Sequence, residues 1–516
     1  MGRVVEEPPV GAMRSNTDDS ALVIDSKLVG YGEGYYGKPH SWEDRRYIVE
    51  FLASEGLNAY VYAPKSDPYH RDRWREPYPE AELAKFEELA RAANGRGVSF
   101  CIAVSPLGMH FSADDDRRAL LEKVQRFLDL GVRDLAILFD DVPDELGEAD
   151  RGKFKSLGQA HGATVAWVYR AVAPSGARLA VAPTHYAGLD STPYLSDLTA
   201  ELPDEVAVAW TGRYVLCPEI TGDDVRQKAA QLGKPVLVWD NFPVNDGPMG
   251  IWCHLGPWLG RDADTLRASF GLFLNGMEQG RASMVAVAQL GELVRTGNGF
   301  DPYLAWRRAC EKVGGPAGEA FFVIAEQMAE SVCHPEPAPT LGRIVERIES
   351  LIEAETPSSS HGTGEIPYLR AALLEELDRQ RKALATVRKE LAGNPLLEEL
   401  APWLDQMARN LTAMTALSKA WEAARPETTG GVVSSEHMFG LIGGVLTFLQ
   451  PGGTGKAVHG TDLAFRAVVQ TAQGGWRISR PAVVESGSLV RRLASAVAKA
   501  FCFEAYDGAP SGGAPS

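Results

Sequence analysis

The sequence predicts a (β/α)8 barrel followed by an α-helical bundle, on three observations. Short apolar runs of strand type alternate with segments of helical periodicity over residues 27–315. These runs lack strict polar alternation, as expected for parallel strands that are buried on both faces. After about residue 315 the runs cease and long amphipathic segments follow. An open doubly wound sheet is the alternative for the first region, because a sequence does not show whether a sheet closes.

Eight apolar runs are predicted to form the strands of the barrel. Each is short and rich in Val, Ile, Leu or Ala, and most are followed by a segment with helical spacing. The runs are Leu28–Gly32, Leu57–Ala63, Val98–Val104, Asp134–Phe139, Arg178–Ala182, Val206–Trp210, Pro235–Trp239 and Ser283–Ala288.

Helices are predicted in most of the gaps between these strands. The first begins just after Ser41, a residue type that caps helix N-termini. The predicted helices are Trp42–Leu52, Glu80–Ala93, Asp114–Leu130, Lys153–Val172, Asp223–Leu232 and Thr265–Met277. Later in the chain, Pro367–Ala392 and Pro395–Ala424 read as two long helices with one apolar face each.

The domain organisation follows from these changes in pattern. We expect a disordered tail over 1–26, a catalytic barrel over 27–315 and a helical bundle domain over 316–427. A C-terminal helical extension is expected over 428–508, and a disordered Gly/Pro/Ser tail over 509–516.

Composition excludes several classes of function. The chain has 52 Lys and Arg against 68 Asp and Glu, a net charge of −16, which argues against a nucleic-acid partner. No apolar run is long enough to span a membrane, so no membrane partner is expected. Six cysteines without a Cys-x-x-Cys pair, and no apolar leader near Met1, predict a cytoplasmic protein.

The segment Gly32–Gly37 matches the G-x-G-x-x-G pattern of dinucleotide-binding sites. Such a site requires an acidic residue at the end of the next strand. That strand ends instead in Ala63-Pro64-Lys65, and Tyr35 and Tyr36 would crowd a pyrophosphate. We therefore do not predict a dinucleotide cofactor.

The pair Asp140-Asp141 is the strongest candidate for catalysis. It ends the fourth predicted strand, and the carboxyl ends of barrel strands carry the chemistry in this fold. Two adjacent carboxylates should titrate as a unit, with one pKa raised, which suits one acid beside one base. The alternative is a solvated turn without a catalytic role.

Further polar and aromatic residues follow the other predicted strands. Aromatic rings suit a sugar ring, and polar groups suit its hydroxyls, so this combination favours a sugar site. We expect Asn275 at the end of the helix that precedes the eighth strand. The candidates are Gly34, Lys65, Tyr186, Thr211, Trp239, Asn241, Asp246 and Asn275.

Four motifs resemble those of family 84 glycoside hydrolases, the O-GlcNAcase group of β-N-acetylglucosaminidases. Together they are specific, and they extend over about residues 27–300. His185 departs from the pattern, since relatives often carry an acidic or amide residue before the tyrosine. The motifs are Val29–Pro39, Leu57–Lys65 with Asp67–His70 and Trp74–Glu76, Leu138–Asp141, and Trp239–Asn241 with Asn245-Asp246.

This resemblance implies a retaining exo-β-N-acetylglucosaminidase that uses substrate assistance. The substrate's 2-acetamido oxygen would attack the anomeric carbon and form an oxazoline, an exception to the scheme with an enzymic nucleophile. Asp140 would accept the acetamido N–H, and Asp141 would act as general acid and then as general base. The resemblance implies neither a metal nor an organic cofactor.

The resemblance also implies roles for the other residues. Tyr186 would support the acetamido group, and Thr211 and Trp239 would line the pocket for its methyl group. Asn241 would orient the acetamido or acid groups. The sugar hydroxyls would be held by Gly34, Lys65, Asp246 and Asn275.

Two other functions stay open at this point. One is an endo-acting hydrolase of the hyaluronidase or chitinase type, and the other is a catalytically silent sugar-binding scaffold protein. The expected partner is a glycoconjugate that bears GlcNAc, as a protein, a glycan fragment or a small glycoside. The apolar faces of the helical bundle domain would also allow a homo-oligomer.

Overall fold

Eight parallel strands close into a barrel in the computed structural model of this protein. The structure describes residues 21–336, 338–354 and 365–423, with short segments at 467–470, 476–479, 489, 492–493 and 505–506. Each strand pairs with its neighbours in sequence, and the first also pairs with the eighth, so the predicted barrel is confirmed and the open sheet is excluded. The strands are β1 (Leu28–Glu33), β2 (Ala59–Tyr62), β3 (Ser99–Val104), β4 (Asp134–Leu138), β5 (Arg178–Ala182), β6 (Ala207–Trp210), β7 (Val236–Asp240) and β8 (Gly271–Asn275).

The helices around the barrel follow the strands. Helix α1 is capped by the Ser41 hydroxyl, which accepts the N–H of Asp44 at 3.0 Å as its position predicts. The prediction missed α5, which begins at Pro193 after the cap Thr192. The helices are α1 (Trp42–Ser54), α2 (Glu80–Asn94), α3 (Asp114–Asp129), α4 (Leu157–Val172), α5 (Pro193–Glu201), α6 (Gly222–Leu232), α7 (Ala263–Ala268) and α8 (Met284–Thr296).

The prediction for the last strand was wrong. Ser283–Ala288 lies in α8, and β8 is Gly271–Asn275, within the segment predicted as the helix Thr265–Met277. Every residue of β8 is buried, as is most of α8. A short run that is apolar on all sides has no period that separates a strand from a buried helix.

The helices after the barrel are continuous with its last layer. They are α9 (Pro302–Gly314), α10 (Gly318–Glu326), α11 (Pro339–Ala354), α12 (Ile366–Glu390) and α13 (Pro395–Ala423). One hydrophobic core joins them: Val285 of α8 and Phe321 of α10 belong to the same buried cluster as Leu377 and Leu404. The domain boundary predicted at residue 315 therefore crosses a shared core, and the domain limits stay a prediction.

Two predictions at the ends of the chain need correction. Residues 21–26, predicted as part of a tail, pack on the barrel, because Leu22 N–H donates to the Val294 carbonyl and Ile24 is buried. Within 428–508, the described residues include strands at Ala467–Gln470 and Trp476–Ser479 rather than helices alone. Both segments are rich in β-branched or aromatic residues. Residues 1–20 and 509–516 lie outside the described residues.

A membrane-spanning helix is not found in the described part of the chain, where none is sufficiently long and apolar.

Candidate active site

A cavity of about 310 Å³ opens at the carboxyl ends of the barrel strands. This is near the lower end of the size range of small-molecule sites. Apolar residues of the barrel interior form its floor, among them Val61, Leu138, Leu237 and Phe273. All ten residues singled out in the sequence line it: Gly34, Lys65, Asp140, Asp141, Tyr186, Thr211, Trp239, Asn241, Asp246 and Asn275.

Asp140 is held as a carboxylate by Lys65. The Lys65 ammonium group, itself buried, forms an ion pair and a hydrogen bond with Asp140 Oδ2. Burial alone would raise the pKa of Asp140, but the charge of Lys65, with a smaller contribution from His70, lowers that pKa below its usual value. Oδ1 of Asp140 is buried and has no hydrogen-bond partner in the structure. The carboxylate thus presents one free acceptor atom.

Asp141 lies at the exposed mouth in a restrained conformation. Its φ is 54°, in the left-handed region that non-glycine residues rarely adopt. The Tyr36 hydroxyl donates to Oδ2 at 2.9 Å and the Tyr186 hydroxyl to Oδ1 at 3.1 Å. Arg71 donates to the Asp141 carbonyl at 3.0 Å. Strain of this kind persists where surrounding contacts fix the backbone, and it is common at functional sites.

The two tyrosines that contact Asp141 remain protonated. Burial raises the pKa of both Tyr36 and Tyr186, and the neighbouring Asp141 raises each further. They therefore act as hydroxyl donors. The sequence led us to expect a raised pKa within the Asp pair. At Asp140 the opposite holds, because Lys65 stabilises its charge.

A chain of hydrogen bonds links the ends of β1, β8 and β7 and the loop after β6 on the opposite side of the cavity. Asn275 accepts the Gly34 N–H at 3.1 Å and donates to Asn241 Oδ1 at 2.9 Å. Asn241 in turn donates to the Val215 carbonyl at 2.9 Å. Asn241 thus contacts Asn275 and the loop after β6 rather than either aspartate. Asn275 ends β8, not a helix, which brings it beside β1.

Trp239 and Asp246 pack against the β1 end of the site. A Cβ atom on Gly32 or on Gly34 would lie 2.5 Å from the Trp239 ring, so these positions require glycine. The Tyr36 N–H donates to Asp246 Oδ2 at 2.8 Å. The GxG of the sequence motif thus makes room for an indole ring rather than for a phosphate.

Thr211 lines the cavity, whereas His185 lies beside it. Thr211 is buried, and its hydroxyl donates to the Tyr214 carbonyl at 3.0 Å, which leaves its methyl group for the cavity wall. His185 contacts Asp144 and Thr192, each at 2.9 Å. The departure of His185 from the family pattern therefore affects the surface beside the cavity.

Sequence reasoning missed two residues that contact Asp141 and one behind Asp140. Tyr36 lies inside the motif Val29–Pro39, and Arg71 directly follows the motif Asp67–His70. Their partner is distant in sequence, so no local spacing identified them. His70 is fully buried. Burial and the nearby Lys65 lower the pKa of His70 to about 4, and its Nδ1 is bonded to the Ala103 carbonyl.

Metal ligation has no candidate among the described side chains: no three His, Cys, Asp or Glu residues there are grouped to hold an ion. The expected absence of a cofactor stays a prediction. The chemistry that the site itself offers is one ionised carboxylate with a free oxygen, beside a second carboxyl group at a solvent-accessible mouth.

Known proteins are similar to this chain in sequence and in fold. The family model described as beta-N-acetylglucosaminidase matches residues 29–326, more than half of the chain. Protein O-GlcNAcase of Rattus norvegicus and that of Mus musculus are each 30% identical over 292 residues. The match covers 55% of this chain but 32% of either relative, so the chain spans about a third of their length.

Solved structures agree over a larger part of the chain. A mutant of the Thermobaculum terrenum O-GlcNAc hydrolase superposes with a TM-score of 0.71 at 27% identity, covering 82% of this chain and 89% of that one. The protein designated CpGH84B superposes with a TM-score of 0.70 at 25% identity, covering 82% and 73%. On the family match and the barrel geometry together, this chain belongs to the beta-N-acetylglucosaminidase family, family 84 of the glycoside hydrolases.

Proposed function

We propose that the protein is a retaining exo-β-N-acetylglucosaminidase that removes terminal β-linked GlcNAc by substrate-assisted catalysis. The observation that carries this proposal is the state of Asp140. It is ionised through Lys65, and it keeps one buried oxygen without a partner. A buried acceptor without a donor is costly, and the N–H of a substrate acetamido group is a donor that would satisfy it.

In the first step the acetamido oxygen attacks the anomeric carbon while the glycosidic C–O bond breaks. Asp140 accepts the acetamido N–H and stabilises the positive charge that develops on the oxazoline. The nucleophile is part of the substrate and already positioned, which removes much of the entropic cost of the attack.

Asp141 gives its proton to the leaving oxygen in this step. It then takes a proton from the water that opens the oxazoline, which restores both the acid and the GlcNAc product. Its exposed position at the mouth supports access of water, and the hydroxyls of Tyr36 and Tyr186 fix the direction of its carboxyl group.

The other cavity carboxylates are poorly placed to act as an enzymic nucleophile. Among the described lining residues they are Asp134 and Asp246. Asp134 begins β4 at the far end of the barrel and is paired with Arg178. Asp246 accepts the Tyr36 N–H, and we assign it, with Gly34, Lys65 and Asn275, to sugar hydroxyls.

Exo action and a GlcNAc-bearing glycoconjugate as substrate are part of the same proposal. The cavity of about 310 Å³ lies within the barrel and is surrounded by its strands, which supports binding of one terminal sugar rather than of a polymer. The relatives named O-GlcNAcase support a glycosylated protein as one such substrate. The homo-oligomer and the cytoplasmic location stay predictions. The five cysteines among the described residues are all free, which is in keeping with a cytoplasmic location.

A comparison of two substrates tests this function. The protein should release the aryl group from a chromogenic aryl β-GlcNAc glycoside and leave polymeric hyaluronan intact. Cleavage of hyaluronan with little release of the aryl group would indicate the endo-acting hydrolase. Binding of GlcNAc without turnover of either substrate would indicate a sugar-binding scaffold.

A further inference from the structure

Helix α13 contacts the outer side of the two loops that follow β7 and β8. Glu399 and Trp403 are four residues apart and so lie on one face of this helix. The Trp403 indole N–H donates to the Ile251 carbonyl at 2.9 Å. The Glu399 carboxyl group accepts the N–H groups of Arg281 and Ala282, each at 3.0 Å. One face of the helical region thus binds the backbone of both loops.

Trp403 contacts one end of a short turn, and Asp246 of the proposed sugar site lies at the other end. A 3₁₀ turn runs over Gly247–Ile251, and Asp246 is its N-cap. Trp403 binds the last carbonyl of this turn, and Met249 within it lines the cavity. Trp403 is only 5% exposed, so its ring is held by packing. A shift of its indole would move the turn that begins at Asp246.

The inner side of the same loop is fixed by other bonds. The buried Asn245 side chain donates to the Trp252 carbonyl and to Gln279 Oε1, each at 2.8 Å. Gln279 belongs to the loop after β8, close to the residues that Glu399 binds. The two loops and α13 therefore form one connected unit around Asp246.

We propose that the face of α13 formed by Glu399 and Trp403 positions Asp246 to bind a hydroxyl of the sugar. The helical region then determines substrate affinity as well as stability. This inference rests on the proposed role of Asp246 as a ligand of the sugar. The same contacts would be present if Glu399 and Trp403 only stabilised the fold. The test must therefore separate an effect on substrate binding from an effect on folding.

A double-mutant cycle on an aryl β-GlcNAc glycoside makes this separation. Trp403→Phe keeps a buried ring and removes the N–H donor. We expect KM to rise about 3- to 10-fold, the loss of one net hydrogen bond, while kcat changes less than about 2-fold. Asp246→Asn should raise KM more. Because both changes act on one contact, the double variant should be little worse than Asp246→Asn alone.

Leu417→Ala is the matched control, because Leu417 is buried on the same helix fourteen residues beyond Trp403. It should lower Tm and leave KM unchanged. Glu399→Gln changes the second contact of α13 and should show the same non-additivity with Asp246→Asn. This variant keeps the test available if Trp403→Phe does not fold.

Three results would overturn the inference. The first is a lower Tm for Trp403→Phe and for Glu399→Gln with a wild-type KM in each. The second is a double variant whose increase in KM equals the combined effect of the two single changes. The third is a wild-type KM for Asp246→Asn, which would refute the hydroxyl role of Asp246 itself and so is distinct from a failure at α13 alone.

Discussion

The ion pair of Lys65 with Asp140 distinguishes two adjacent carboxyl groups that the sequence presents as equivalent. Asp140 has a buried ammonium partner, whereas Asp141 has two phenolic donors and an exposed position. Environment rather than mutual repulsion thus separates the two proposed roles: Asp140 as the charged acceptor of the acetamido N–H, and Asp141 as the general acid and then the general base. At this scale the identity of the cavity residues could be predicted, because motifs at strand ends carry them. The contacts of Tyr36 and Arg71 could not, since they depend on how separate loops fold together.

The first prediction concerns the pH dependence of Lys65→Met. Lys65 lowers the pKa of Asp140, so its removal should raise that pKa. Since Asp140 must be ionised to accept the acetamido N–H, the acidic limb of the kcat/KM profile should move to higher pH. Lys38→Met, at an exposed lysine in the β1–α1 loop, should leave this limb unchanged. An unshifted limb in Lys65→Met would separate Lys65 from the ionisation of Asp140.

The second prediction concerns Asp141→Asn. It should lose about 10²- to 10⁴-fold in kcat/KM on alkyl glycosides, whose leaving groups need a proton. The loss on dinitrophenyl glycosides should be far smaller, because that leaving group is already acidic. Asp144→Asn, on the same exposed loop beside His185, serves as the control and should stay within about 2-fold. Equal losses on both substrates would remove Asp141 from the role of general acid.

At the scale of elements, the sequence predicted seven of the eight strands, because apolar runs between helical segments identify them. It misplaced β8, since Gly271–Asn275 is buried throughout and most of α8 is buried as well. It also missed α5, a helix of nine residues that packs closely on α4 through Gly158 and Gly162. Its pattern was too short for periodicity to show. Whether such a short segment forms a strand or a helix depends on how neighbouring elements bury it, and the local sequence does not contain that information.

The third prediction concerns Glu399, which joins α13 to the loop after β8. Burial raises the pKa of Glu399 to about 7, with Asp44 of α1 adding to the effect and Arg281 opposing it. For a carboxyl group, a raised pKa in the folded state favours the protonated form. Its contribution to stability is therefore present below about pH 4.5 and is lost as the pH rises towards about 7.

Glu399→Gln should remove this part of the pH dependence. The free energy of unfolding, measured by urea titration between pH 5 and pH 8, should fall less steeply with pH than in the wild type. The variant is expected to be less stable at pH 5, because an amide cannot accept both backbone N–H groups. Parallel pH curves for the two proteins would contradict the assignment.

At the scale of the whole molecule, the barrel and the helical region share one hydrophobic core. Leu377, Leu400 and Leu404 pack in one cluster with buried residues of α8 and α10. The fourth prediction follows: truncation after residue 320 should give a barrel that aggregates, because it exposes this apolar surface. Size-exclusion chromatography of the truncated chain measures this. A soluble truncation with full activity would show that the barrel folds and acts alone.

The central claim is that the nucleophile belongs to the substrate, and one series of substrates tests it most directly. Fluorine in the N-acyl group withdraws electrons from the carbonyl oxygen and weakens it as a nucleophile, without any change to the protein. With the wild-type enzyme, kcat/KM on aryl glycosides should fall progressively from acetyl through mono- and difluoroacetyl to trifluoroacetyl. A rate that does not change across the series, together with a covalent glycosyl ester trapped on Asp140 or Asp246, would contradict substrate assistance and indicate double displacement through an enzymic carboxylate.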